Sequence, residues 1–197
     1  MAIDWQKLRA LNGSQEKGFE ELCCQLAEDE GKPAGSKYVR KGTPDAGVEC
    51  FWTLPNGDEE AWQAKWFLSP PTAGQWSQID KSVKTALEKH PRLKRYVVCL
   101  PIDRPDRRTR GEKSLLDRWN ERVGDGKKLT KKKGMSVAFE FWGDHELTSR
   151  LNREENRGRH WFWFNSEQFT LTWFRESLAV SIQNAGERYT PVVHIDL

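Results

Sequence analysis

The sequence predicts an α/β fold in which helices flank a mixed sheet. Three observations support this prediction. The chain opens with a helical pattern of apolar residues, a hairpin signal at Pro55-Asn56-Gly57 follows, and helical and strand-like segments then alternate. The predicted order is αβββαβ, followed by another helix, strand and helix. The chain of 197 residues is long enough for one domain with a C-terminal helical extension.

The first predicted helix covers residues 14–31, and the first predicted strand covers residues 36–41. Gly31 and Pro33 end the helical pattern. Within this helix we expect Glu21 to point away from Glu20 and toward solvent, because neighbouring helical positions differ by about 100°. The apolar residues that repeat at helical spacing are Phe19, Leu22, Cys23 and Leu26.

The second and third predicted strands, residues 47–54 and 59–67, form the hairpin. With a two-residue Asn-Gly loop, Gln63 would face Cys50. With a three-residue loop, Gln63 faces Glu49, and Lys65 lies on the same face as Gln63. We expect the three-residue loop, because proline fixes a negative φ at its first position and glycine suits the left-handed conformation at its last.

The remaining elements follow from shorter signals. The predicted helices cover residues 72–89, 115–123, 144–152 and 166–184, and the predicted strands cover residues 95–100 and 136–142. Asp144 is the expected N-cap of its helix. Two basic segments, residues 101–112 and 127–134, are predicted to be loops that either contact phosphates or are simply solvated. We expect Gly186 to end the last helix.

Composition restricts the class of protein without naming a function. The net charge of +3 permits nucleic-acid binding but does not argue for it. The four cysteines have neither a CxxC pair nor zinc-ligand spacing, so we expect buried, reduced thiols. The chain has no basic, apolar leader segment and no apolar run long enough to span a bilayer. The expected location is therefore the cytoplasm, without a membrane partner.

Five residues form the candidate site. Asp45 and Glu49 offer carboxylates at the entry to the second strand, and Gln63 offers an amide oxygen on the third. These are ligands that Mg²⁺ accepts, whereas the ammonium of Lys65 suits a phosphate or an attacking water. Glu20 is a supporting ligand, direct or through water. The alternative is structural, because Pro-Asp is common in turns and Gln-x-Lys is common on exposed strands.

The motifs Phe19-Glu20, Pro44-Asp45-Ala46-Gly47-Val48-Glu49 and Gln63-Ala64-Lys65 resemble those of the PD-(D/E)xK nuclease superfamily, in its Mrr-like restriction endonuclease branch. The resemblance covers about residues 14–100. It implies a restriction-endonuclease-like αβββαβ core, Mg²⁺ or its substitute Mn²⁺ as cofactor, and cleavage of double-stranded DNA with low sequence specificity by a homo-oligomer. Pro44 and Glu49 depart from the family pattern, which has glycine and aspartate there. Either Asp45 or Glu49 is therefore the main metal ligand.

The tail from Trp161 to Leu197, which contains Arg188-Tyr189-Thr190-Pro191 near its end, resembles a linker of antiviral STAND NTPases (the AVAST phage-defence systems), in which a nuclease precedes an ATPase and a sensor. This resemblance implies a nuclease domain at residues 1–153, a helical linker at residues 154–197, and ATPase and sensor domains further downstream. The chain itself contains no Walker A motif. The alternative function is a catalytically inactive nucleic-acid-binding or interaction module, which the replacement of aspartate by Glu49 favours slightly.

Overall fold

A computed structural model describes residues 3–42, 47–106, 112–165 and 171–186. The described residues form five strands and six α-helices, with short 3-10 turns at Trp5–Lys7 and Glu154–Asn156. The strands are β1 (Lys37–Arg40), β2 (Cys50–Thr53), β3 (Glu59–Ala64), β4 (Leu93–Cys99) and β5 (Ala138–Trp142). The helices are α1 (Gln15–Glu28), α2 (Ala73–Lys89), α3 (Leu115–Lys132), α4 (Asp144–Leu151), α5 (Arg157–Phe164) and α6 (Leu171–Ala185).

The five strands form one mixed sheet in the order β1-β2-β3-β4-β5. The first three strands pair antiparallel, whereas β3, β4 and β5 run parallel. The predicted α/β class, with helices flanking a mixed sheet, is confirmed. The helix α2 connects β3 to β4, and α3 connects β4 to β5. Both helices therefore begin near the edge of the sheet where β3 and β4 end.

The hairpin register confirms the three-residue loop. Cys50 pairs with Trp62, and Thr53 pairs with Glu59. The N–H of Gly57 donates to the carbonyl oxygen of Leu54 over 2.8 Å, and Gly57 has a φ of +81°. The positive φ explains why glycine stands at the last loop position.

Two hydrophobic cores lie on opposite faces of the sheet. The α1-side core joins the sheet to α1, α4 and α5, and it contains Phe19, Cys50, Trp62, Val97, Trp142, Leu147 and Trp163. The α2-side core joins the sheet to α2 and α3, and it contains Val48, Ala61, Trp76, Ile79, Tyr96, Val98, Trp119 and Phe141. All four cysteines are buried and unbridged, as expected.

The helix α3 is longer than the sequence predicts. The prediction ended it at residue 123 and placed a basic loop at residues 127–134, but the helix continues to Lys132. Gly126 is buried against β5, where an added Cβ would lie 2.8 Å from the Phe139 ring. The glycine thus permits close packing that holds the last turns helical, so the predicted loop is wrong. The lysines of this segment occupy the C-terminal turns, where positive charge is favourable.

The start of α4 also differs from the prediction. Gly143, not Asp144, is the N-cap, and its N–H donates to the Glu146 carboxylate over 2.9 Å. Asp144 instead accepts a hydrogen bond of 2.7 Å from the indole N–H of Trp5. Its carboxylate therefore ties the N-terminal segment to α4.

The two C-terminal helices differ in their packing. The helix α5 contains the aromatic run and buries Trp163 and Phe164 in the α1-side core, although it follows the predicted domain boundary at residue 153. The helix α6 has no buried residue, and it ends just before Gly186, as predicted. None of the described helices is both long and apolar enough to cross a membrane.

Candidate metal site

A β-bulge positions Glu49 at the start of β2. The N–H of Glu49 donates to the carbonyl oxygen of Trp62 over 2.8 Å, although Cys50 is the residue paired with Trp62. Two consecutive residues therefore oppose one residue of β3. Val48 and Cys50 accordingly pack in opposite cores, whereas unbroken alternation would place them on one face.

Glu49 and Gln63 meet inside the protein. The Nε2 group of Gln63 donates to Oε1 of Glu49 over 2.5 Å and also to the carbonyl oxygen of Ala64 over 3.2 Å. Glu49 is 5% exposed, and Gln63 is fully buried. The contact across the hairpin that the sequence predicts is therefore present.

The carbonyl oxygen of the Gln63 amide, Oε1, has no hydrogen-bond partner among the described residues. A buried acceptor without a partner is costly, typically by about 1–3 kcal/mol. A divalent cation beside Glu49 would supply a partner for this oxygen, and it would also neutralise the buried carboxylate. The two side chains therefore fit a hard metal ion that binds through oxygen.

Lys65 lies two residues beyond Gln63, which is one period of the alternation of side chains along a strand. Its backbone N–H donates to the carbonyl oxygen of Cys99 over 3.0 Å, which extends the pairing of β3 with β4 by one residue. Strand alternation places Lys65 on the same face as Gln63, because Trp62 and Trp66 both pack toward the α1-side core. The half-buried lysine thus follows the predicted amide on the predicted face.

The other two predicted ligands are Asp45 and Glu20. Asp45 lies outside the described residues, so its place in the site stays a prediction. Glu20 is half-buried on α1 and directly follows Phe19, a residue of the α1-side core. Among the described residues, no three histidine, cysteine, aspartate or glutamate side chains form a cluster suited to a metal ion. A site here would therefore depend on the amide of Gln63 and on Asp45.

The structure adds Arg40, a residue that the sequence did not single out. One of its terminal nitrogens, Nη1, donates to the carbonyl oxygen of Glu49 over 3.0 Å and lies 3.9 Å from its carboxylate atom Oε2. The Nε group donates to Glu21 over 3.2 Å, so Glu21 is paired rather than directed only to solvent. No local signal fixes the register of β1 against β2, and the contact was therefore not predictable from spacing.

Ionisation near the site is set by burial and by these contacts. Burial acts to lower the pKa of Arg40, but the carboxylates of Glu21 and Glu49 act against this effect, and the pKa is raised. The hydrogen bond to Cys50 and burial raise the pKa of Cys24 far above its usual range. The guanidinium is therefore charged and the thiol is neutral at physiological pH.

A second set of hydrogen bonds begins at Lys41, the residue after Arg40. The Lys41 ammonium is 3.1 Å from Nε2 of His90, and Nδ1 of His90 is 2.9 Å from the Glu59 carboxylate. Although the backbone N–H of Lys41 donates to the carbonyl oxygen of Glu49, its ammonium is directed to His90 instead. Lys65 remains the ammonium that the fold assigns to the face of Gln63.

Comparison with protein-family models gave no match, and comparison with curated proteins gave none either. The functional argument therefore depends on the fold, on the geometry of this site and on the resemblance of its motifs.

Proposed function

We propose that the chain is a metal-dependent DNA endonuclease domain that hydrolyses phosphodiester bonds, with Mg²⁺ as its cofactor and a restriction-endonuclease-like core. The observation that carries the proposal is the buried pair of Glu49 and Gln63, whose amide oxygen is unpaired, with Lys65 on the same strand face. This arrangement matches the order acid, amide, lysine of the motifs in the sequence.

Each residue has a role that follows from its chemistry. Glu49 and Gln63 would hold the ion through oxygen, with Asp45 and Glu20 as further proposed ligands. When bound, the ion acts as a Lewis acid on the phosphate and lowers the pKa of a water molecule. The Lys65 ammonium orients that water or stabilises the negative charge that develops on the phosphate.

Duplex DNA is the substrate that the motif resemblance favours. The lysines at the end of α3 do not belong to the immediate site, because α3 runs away from the edge where β3 and β4 end. Its 18 residues span about 27 Å, which corresponds to roughly eight base pairs. These lysines would therefore contact phosphates well away from the scissile bond. A role in anti-phage defence depends on the resemblance of the tail alone.

Cleavage of supercoiled plasmid in the presence of Mg²⁺ or Mn²⁺ tests the proposal. We expect wild-type protein to nick or linearise the plasmid, and we expect Lys65→Ala to abolish this activity. Lys94→Ala is the matched control, since Lys94 is an exposed lysine near the start of β4, toward the opposite edge of the sheet. Equal cutting by wild type and Lys65→Ala would show that the proposed site is wrong.

One observation favours the alternative of an inactive binding module. Glu49 is almost fully buried, and Gln63 and Arg40 already contact it, so the pair could serve structure alone. That alternative predicts metal-independent retention of DNA in a gel-shift assay and no cleavage with either ion. It also predicts that Mn²⁺ does not bind to the purified protein.

A further inference from the structure

We infer that Arg40 is a positioning residue of this site: it is an internal counter-ion that holds Glu49 in the metal-free protein and weakens the binding of a divalent ion. The inference rests on the proposed function, because it takes Glu49 as a metal ligand.

The contacts of Arg40 join three elements at one point. Its Nη1 group donates to the backbone carbonyl oxygens of Lys41 and Glu49, and so it ties the end of β1 to the bulge before β2. Its Nε group is bound to Glu21 of α1, which also accepts a hydrogen bond from Gln25. The guanidinium is thus held from the side of α1 while it faces Glu49.

Arg40 also acts on Glu49 through its charge. The distance of 3.9 Å between Nη1 and Oε2 of Glu49 places a permanent positive charge beside the carboxylate that would bind the ion. The Arg40 side chain is about one-third exposed, so solvent screens this charge only in part. A cation at that place stabilises Glu49 without metal and repels an ion that approaches the same carboxylate.

Glu21 limits this effect. Its carboxylate competes with Glu49 for the same guanidinium, because it lies 3.2 Å from Nε. Removal of the Glu21 charge would therefore leave Arg40 more strongly attracted to Glu49. Arg40 and Glu21 should act on metal affinity with opposite signs, and tighter binding after removal of the Arg40 charge is the change that a purely structural role of Arg40 would not produce.

Titration of the purified proteins with Mn²⁺, followed by the electron paramagnetic resonance signal of the free ion, tests the inference without an activity assay. We expect Arg40→Met, which keeps the aliphatic stem but removes the charge, to bind Mn²⁺ about fivefold more tightly than wild type. Arg40→Lys keeps the charge and should bind within about twofold of wild type. Glu21→Gln should bind about twofold more weakly.

The outcomes separate the two proposals. If wild type binds Mn²⁺ but Arg40→Met binds it equally or more weakly, the counter-ion role is overturned while the metal site stands. If none of the four proteins binds Mn²⁺, the proposed function fails, and this inference fails with it. Thermal unfolding of each protein shows whether it is folded. If Arg40→Met does not fold, the Mn²⁺ affinity of Glu21→Gln is the remaining test. Mn²⁺ binding by Glu21→Gln that is as tight as in wild type, or tighter, contradicts the inference.

Discussion

Gln63 donates its amide N–H to Glu49 over 2.5 Å, yet its own amide oxygen has no partner among the described residues. Under the proposed function this oxygen would be a ligand of the metal ion, which leads to the first prediction.

Gln63→Glu should make stability depend on pH and on metal. The change places a second carboxyl beside Glu49 in a buried site, so burial and like charge raise the pKa of one of the two. A folded-state pKa above the unfolded value stabilises the protein at low pH, and this stability is lost as pH rises. We expect urea unfolding to show a loss of stability from about pH 5 to about pH 8, which Mn²⁺ reverses.

Gln78→Glu, at an exposed position of α2, is the control for this variant and should show neither effect. If Mn²⁺ does not change the stability of Gln63→Glu anywhere in this range of pH, the result contradicts a cation-binding site at Glu49 and Gln63.

Gly47→Ala should destabilise the fold strongly. Gly47 has a φ of +80°, and an added Cβ would clash with the carbonyl oxygen of Ser82 and lie 2.9 Å from the backbone nitrogen of Ala86. Because neither backbone atom can move without shifting α2, we expect a loss of about 3 kcal/mol or more in urea unfolding. Gly124→Ala, in the middle of α3 with open space around it, should instead stabilise by about 0.5–1 kcal/mol.

Arg95→Ala should remove the centre of an ion-pair cluster on the α1-side face. Arg95 contacts the carboxylates of Glu30, Glu60 and Glu140 at 2.7–3.2 Å, and its guanidinium lies over the Trp62 ring. Its loss removes both hydrogen bonds that Arg95 makes to Glu140, whereas Glu60 keeps its contact with Lys32 and Glu30 keeps its contact with Arg150. We expect destabilisation by about 2–4 kcal/mol near neutral pH in urea unfolding. Lys94→Ala, at the exposed neighbouring position, should change stability by less than about 0.5 kcal/mol.

The same cluster predicts how stability varies in acid. Burial acts to raise the pKa of Glu30, but Arg150 and Arg95 outweigh it, and the pKa falls below its ordinary value of 4.5. A depressed folded-state pKa gives stability that is present above pH 4.5 and is lost as the pH falls below it. Unfolding measured across this range should show a shallower acid loss in Arg150→Ala than in wild type. An unchanged slope would show that the Arg150 contact does not stabilise the ionised form.

Truncation should show where the folded unit ends. Trp163 and Phe164 lie in the α1-side core, and the rings of Trp5 and Phe164 are 5.5 Å apart. A chain that stops after Asn165 should keep cooperative thermal unfolding, because α6 buries no residue. A chain that stops after Arg153 should lose it, since removal of two large aromatic side chains from a core costs about 3–5 kcal/mol each. Cooperative unfolding of the shorter chain would contradict a core role for α5.

The hairpin shows how far local sequence signals reach. Pro55 and Gly57 restrict the backbone of a three-residue loop, and the loop fixes the register that pairs Cys50 with Trp62, beside the contact of Glu49 with Gln63. No packing information was needed for this result. The helix α3 shows the opposite case, because Gly124 and Gly126 resemble a helix end locally, whereas contact with Phe139 keeps the helix intact.

The sequence by itself determined the α/β class, the order of its elements as far as α4 and the register of the hairpin that carries the acid and the amide. These features depend on the period of apolar residues and on the conformations allowed to a few turn residues. Only the tertiary structure decided the place of Arg40, the length of α3 and the core role of α5. Such contacts join residues far apart in the chain, and packing between whole elements selects them, which no short stretch of sequence encodes.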